Sequence, residues 1–269
     1  MNVLKVIEDL QLDKIDQEEY LKPAMRRGLF KKASDFSLKA ALTSLPFALF
    51  AMPKIVQAHT SDAVTDTLNF ALTLEYLEDE FYKKGLAASG LITNAREKGI
   101  FQQISKHETA HVALLEGVLG ANKIAKPTFN FERVNATIFT DYQTFLAFAQ
   151  SFEDGGVRAY KGQAGVLAGT DTLTTALQIH SVEARHASVV RRIRGNKGWI
   201  VQAQANGGDA RIYGTGTTGY PDESNTVQGG VDLSSFAGTN GITLDHVTEA
   251  FDEPLDKATV VAIANDFFA

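Results

Sequence analysis

Gln103-Ile-Ser-Lys-His-Glu-Thr-Ala-His111 and Gln178-Ile-His-Ser-Val-Glu-Ala-Arg-His186 are two copies of one pattern, Gln-Ile-x-x-x-Glu-x-x-His. A second pair of copies lies upstream of them. Leu68, Phe70, Ala71, Glu75, Tyr82 and Lys83 recur as Leu146, Phe148, Ala149, Glu153, Tyr160 and Lys161. The offsets, 75 and 78 residues, differ by three residues of connection, which a loop absorbs at little entropic cost. Each half of this region thus supplies one glutamate and then Glu-x-x-His, 33 residues later in one half and 30 in the other.

Three- and four-residue spacing of apolar side chains marks four helices around these positions. Their inner faces read Leu68, Ala71, Leu72, Glu75, Glu78, Tyr82; then Ile100, Ile104, Glu108, His111, Leu115, Val118; then Tyr142, Leu146, Ala149, Glu153, Tyr160; then Leu173, Ala176, His180, Glu183, His186, Val190. Asn94 with Glu97 caps the second helix, and Gly120 and Gly195 end the second and fourth. Short connections make each half an antiparallel hairpin. The middle linker, with Pro127 and several aromatics, is long enough to cross a bundle.

On a helix, residues three apart share a side, so Glu108 with His111, and Glu183 with His186, can each grip one ion. Glu75 and Glu153 complete a set of six ligands for two metal ions. Four ionised glutamates are neutralised by two divalent cations, whereas burying them unpaired costs several kcal/mol per ion. Leu72, Ile104, Leu146 and Leu177 are expected to wall the site. Glu78, one turn beyond Glu75, is a candidate extra ligand, with an ordinary solvated glutamate as the plain alternative. His180, one turn before Glu183, is a candidate third histidine or hydrogen-bonding partner, against a core histidine. Tyr82 and Tyr160 are candidates for hydrogen bonding to ligands or for electron donation, against simple packing. Gln103 and Gln178 recur and are candidates to orient the imidazoles. His107 falls about 100° off the face of Glu108 and is not expected in the site.

One glutamate on each of two helices plus Glu-x-x-His on each of the other two resembles the ligand set of ferritin-like di-iron and di-manganese carboxylate proteins. The stretches Leu68-Asn-Phe-Ala-Leu-Thr-Leu-Glu-Tyr-Leu-Glu78 and Phe251-Asp-Glu-Pro-Leu255 are similar to exported ferritin-like-domain proteins, the group that includes desiccation-related proteins. The resemblance implies an all-α fold, a ferritin-like four-helix bundle with one long crossover. It also implies two Fe or two Mn ions per chain, ligated by the six residues named.

The ends differ from the bundle. Residues 1–58 combine Arg26-Arg27, a moderately apolar segment from Phe36 to Val56, and the small-residue end Val56-Gln-Ala58. These are the parts of an export signal, here of twin-arginine type, and they predict an exported, periplasmic protein. Asp35 and Lys39 interrupt the apolar stretch, so the alternative is a retained N-terminal helical segment on a cytoplasmic protein. The bundle is expected over 59–195. Residues 196–269 form a Gly-rich irregular extension containing the sole tryptophan, Trp199, and end in a short helix near Leu255 to Phe268.

Composition narrows the chemistry. The 269 residues contain no cysteine, which removes thiolate zinc, iron–sulfur and cysteine-nucleophile chemistry and leaves carboxylate and imidazole. A net charge of −6 without a basic patch argues against nucleic acid. The expected activity is oxidation of ferrous iron or reduction of peroxide or dioxygen, in stress protection. Peroxide disproportionation of the manganese catalase kind is the close alternative, and a non-enzymatic envelope or stress scaffold the distant one. A homodimer is the assembly compatible with the long C-terminal addition, which would crowd a closed storage shell.

Overall fold

The computed structural model describes residues 61–217 and 219–269, so the expected export signal over 1–58 lies outside the described residues. Four long helices build the bundle: α1 (Ser61–Ala87), α2 (Ala95–Leu119), α4 (Tyr142–Gln163) and α5 (Thr172–Ile193), with α3 (Phe131–Val134) in the central linker. Local chemistry sets their ends. The Asn94 side chain accepts hydrogen bonds from the Arg96 and Glu97 amides at 3.0 and 3.3 Å, and Asp141 accepts from the Thr144 amide at 2.7 Å. Each cap satisfies amides that the first helical turn leaves unpaired.

Cross-helix contacts give the helix directions. Glu75 meets His111 and Asp79 meets Thr109, so α1 and α2 are antiparallel. Gln150 meets Arg194 and Asp154 meets Arg191, which makes α4 and α5 antiparallel too. Tyr82 reaches Glu153 while Tyr160 reaches Glu75, so α1 also runs against α4. It follows that α2 and α4 point the same way, and the linker between them must travel the length of the bundle. Phe131 and Ile138 anchor that linker in the core.

Aromatic packing fixes one end of the bundle. Phe81 stacks on Phe145 at 4.7 Å and meets Phe152 edge-on at 4.9 Å, and Phe131 and Phe267 extend the cluster. Such pairs contribute about 0.5–1.5 kcal/mol each beyond their buried area.

The C-terminal region holds a two-stranded hairpin, β1 (Val227–Gln228) with β2 (Val231–Asp232), and two helices, α6 (Leu244–Thr248) and α7 (Lys257–Asn265). It is irregular, as its composition predicts, but it is firmly anchored to α4. Arg158 is fully buried. Its guanidinium donates to the carbonyls of Ile212, Gly214, Pro221, Glu253 and Pro254, and pairs with Glu223 at 2.8 Å. Asp154 binds Arg191 at 2.5 Å and accepts from the Tyr213 hydroxyl at 2.6 Å. Chain ends meet the linker as well, since the Asn130 amide donates to the Phe267 carbonyl at 2.7 Å. Val260, Ile263 and Ala264 of α7 are buried. Two of the residues expected on inner faces are exposed instead: Val118 at 50% and Leu177 at 45%. Both sit on the flank of the helical stripe, where a helix turns from core to solvent within one residue. Among the described residues no helix is long and apolar enough to cross a membrane.

Candidate metal centre

Glu75 comes from α1, Glu108 and His111 from α2, Glu153 from α4, and Glu183 and His186 from α5. All four glutamates have zero exposure and both histidines are buried. His111 Nδ1 lies 3.1 Å from Glu108 Oε2, 3.2 Å from Glu75 Oε2 and 3.0 Å from Glu183 Oε1. His186 Nδ1 lies 2.9 Å from Glu108 Oε1, 3.1 Å from Glu183 Oε2 and 3.3 Å from Glu153 Oε2. Glu108 and Glu183 each turn one oxygen toward one histidine and the other oxygen toward the second. Two clusters result, Glu75–Glu108–His111–Glu183 and Glu108–Glu153–Glu183–His186, whose ligand atoms lie within 4.8 Å of one another in each.

These donors fit a metal. Glu108 Oε1, Glu153 Oε2 and Glu183 Oε1 are buried without a hydrogen bond, although each lies within 3.3 Å of an imidazole nitrogen. The atoms crowd around common points and do not line up along N–H directions. Oxygen and imidazole donors in this ratio suit iron and manganese. The electrostatics agree that positive charge is required. Burial, with the charge of Glu183, pushes Glu75 well above the carboxylate range. Burial also raises Glu153 to about 8. Burial works against the charged form of Glu183 too, but hydrogen bonds from His111 and His186 overcome it and hold that group at about 2. Burial opposes protonation of His111, yet Glu108, Glu183 and Glu75 together push it to about 12. In the bare cluster, protons on imidazole and carboxyl stand where cations would.

The tyrosines cross between the halves. Tyr82 donates to Glu153 Oε1, and Tyr160 donates to Glu75 Oε1 at 2.5 Å. Each glutamate that is not part of a Glu-x-x-His pair is thereby held by the tyrosine of the other hairpin. Leu72, one turn from Glu75, and Ile104, one turn from Glu108, are buried; Leu146 is buried two turns from Glu153, and Leu177 is exposed and walls nothing.

Glu78 is buried beside the clusters and belongs to neither. Burial, then Glu183, Glu75, Glu153 and Glu108, raise its carboxyl well above the ordinary range. His180 also lies outside both clusters, with Nδ1 buried and unpartnered, and burial followed by the charge of Lys161 lowers its pKa. Gln178 is exposed. Gln103 reaches no ligand and meets His107 instead, at 2.8 Å. His107 is the residue that the helical-wheel reading misses: its Nδ1 lies 2.9 Å from His186 Nε2. The signal was present in the four-residue ladder Gln103, His107, His111, which faces the helix carrying His186.

Residues 63–196 match the family of the ferritin-like domain, a span that covers all four long helices to within a few residues of their ends. Comparison with curated proteins gives no match. Four long helices joined by one long crossover agree with that match. The chain belongs to the ferritin-like superfamily.

Proposed function

We propose that the six residues Glu75, Glu108, His111, Glu153, Glu183 and His186 hold two iron or manganese ions, and that the centre reacts with dioxygen or peroxide. The observation that carries this reading is the sharing of Glu108 and Glu183 between two otherwise separate clusters. Each shared carboxylate aims its two oxygens at two different histidines, the disposition a bridging ligand needs. Two ions so held would supply Lewis acidity and one-electron redox chemistry at adjacent points.

The chain's own residues do the remaining work. Tyr160 and Tyr82 donate to one oxygen each of Glu75 and Glu153, which keeps those carboxylates oriented and leaves the other oxygen of each directed inward. Burial and the nearby carboxylates raise the pKa of both tyrosines, so each keeps its phenolic proton at neutral pH and remains a donor. The buried Leu72 and Ile104, one turn from Glu75 and Glu108, keep bulk water from the site, which strengthens its electrostatics and limits side reactions. We further propose that the protein works outside the cytoplasm, with Arg26-Arg27 and Val56-Gln-Ala58 as the export and cleavage signals.

Protein isolated from its native cell compartment, with its N-terminus read and its metals counted, tests both readings. The expected result is a new N-terminus after Ala58 and two ions per chain. Anaerobic reconstitution with iron and with manganese should restore two ions, and replacing His111 and His186 together by Ala should abolish binding while helical content stays. Rapid oxidation of the ferrous protein by dioxygen or peroxide marks an oxidase or peroxidase. Oxygen release by the manganese form marks disproportionation. Zero or one ion after reconstitution sinks the two-metal reading, and an intact Met1 in the cytoplasm sinks export.

A further inference from the structure

We infer that His107 is a positioning residue that holds the ring of His186, and only that ring, in the orientation and tautomer that present Nδ1 to a metal. The inference rests on the reading of the six-residue cluster as a metal centre.

The contact itself is well defined. His107 Nδ1 and His186 Nε2 are 2.9 Å apart, the ring planes differ by 9°, and the ring centroids are 5.1 Å apart. That centroid distance is the N···N distance extended by one ring radius at each end. The two imidazoles therefore meet edge to edge in nearly one plane, the arrangement of a linear hydrogen bond, and do not stack face on face. His186 Nδ1 faces Glu108, Glu153 and Glu183. With a cation bound at Nδ1, the remaining ring hydrogen must sit on Nε2, and His107 Nδ1 is its acceptor. A fixed acceptor at that point selects the tautomer and stops the ring from rotating.

The chain of bonds continues outward. His107 Nε2 then carries the hydrogen and lies 2.8 Å from the side-chain amide of Gln103, which is exposed. With a hydrogen on His107 Nε2, hydrogen-bond logic assigns the Gln103 amide oxygen to face it.

The other half of the centre lacks this device. At the 75-residue offset that relates the two Glu-x-x-His copies, the counterpart of His107 is Val182. Among the described residues, no side chain hydrogen-bonds the far nitrogen of His111, whose contacts all run through Nδ1 to carboxylates. Two ligand sets that look equivalent in sequence are therefore unequal in support, and the ion beside His186 should bind more tightly. Removal of an outer partner of a ligating histidine usually lowers metal affinity by about 10–100-fold.

Cobalt(II) titration followed by visible absorption is the test, on full-length wild-type, His107→Ala and His107→Asn proteins. Asn can return an acceptor oxygen near the position of Nδ1. The expected result is two binding steps in wild type. In His107→Ala the tighter step should weaken at least 10-fold and the weaker step hold, with recovery in His107→Asn. Unchanged affinity for both steps in His107→Ala, or equal loss of both, overturns the inference. A measurement without metal separates this from failure of the metal reading: 15N shifts of the histidine rings in the metal-free protein. A coupling across the hydrogen bond between His186 Nε2 and His107 Nδ1, with a shift of the His186 Nε2 signal in His107→Ala, supports positioning whatever metal binds. A His186 ring signal indifferent to His107→Ala refutes it.

Discussion

The two hairpins carry the same ligand pattern but stand in different settings. On the first, the buried Asp79 is paired with a side chain that reaches solvent: Lys83 is 54% exposed, and Asp79 also accepts from Thr109 at 2.7 Å. On the second, the neighbours are buried ions. Asp154 is locked to Arg191, and Arg158 is closed over by the C-terminal region. Glu78 on α1 lies beside Gly156 of α4, its own counterpart in the repeat. The repeat carries the ligand pattern twice, and the surroundings of the two copies differ. The second hairpin is the main floor for residues 196–269, through Arg158 and Asp154, and the first adds an apolar contact in which Phe70 and Leu74 meet Leu255, Val260 and Ala264.

The largest effect should come from breaking that floor. Arg158→Met leaves Glu223 buried without its partner and strips the donor from five carbonyls, and losing one partner of a buried pair costs about 3–5 kcal/mol. Lys83→Met, the comparison on the first hairpin, removes a cation that is 54% exposed from an i,i+4 pair and leaves the buried Asp79 with the Thr109 hydroxyl as donor, so it should cost about 1 kcal/mol. Urea unfolding of both variants, with limited proteolysis of the C-terminal region, measures the contrast. Equal and small losses would mean that the extension is not anchored through α4.

Glu223 offers a pH test of the same floor. Burial raises its carboxyl to about 8, against the opposing pull of Arg158, whose charge is shared with five carbonyl oxygens. A carboxyl with a folded pKa of about 8 and an ordinary unfolded value of 4.5 favours the folded state fully at pH below 4.5. That advantage is lost as pH rises from 4.5 through about 8, and amounts to a few kcal/mol. Glu223→Gln should flatten the fall relative to wild type across this window while leaving the acid side unchanged. Identical slopes in the two proteins would show that Glu223 stays ionised beside Arg158.

Much of this molecule could be read from the chain because its decisive features are local or repeated. Glu-x-x-His is an i,i+3 relation that any helix enforces, and the second copy selected Glu75, Glu108, Glu153 and Glu183 from 32 acidic residues. Asn94 announced a helix start by the same short-range logic. What escaped depends on neighbours that sequence does not place. His107 lies off the ligand face of its own helix, but a facing helix brings His186 to it. Leu177 and Val118 fit the apolar period, yet only the packing angle decides which edge of the stripe meets water. Arg158 reads as an ordinary surface cation until residues 212–254 close over it.

The smallest effect should distinguish the glycines of α4, and so the two kinds of crowding on that helix. A Cβ on Gly162 would lie 2.1 Å from the Leu255 carbonyl oxygen, a backbone atom that cannot move without lifting the C-terminal segment, so this glycine is required by the floor. A Cβ on Gly156 would lie 3.5 Å from Glu78 Oε1 and 3.6 Å from Glu183 Cγ, both ordinary contact distances. Gly156 therefore costs helix propensity with no steric return, because glycine inside a helix is about 0.5–1 kcal/mol worse than alanine. Gly156→Ala should raise stability by about that amount, through a lower entropy of the unfolded chain. Denaturant midpoints with unchanged slopes would record it. Stability that falls in Gly156→Ala would mean the Glu78 carboxyl needs the open space beside Gly156, and that this corner of the second hairpin is shaped for Glu78 after all.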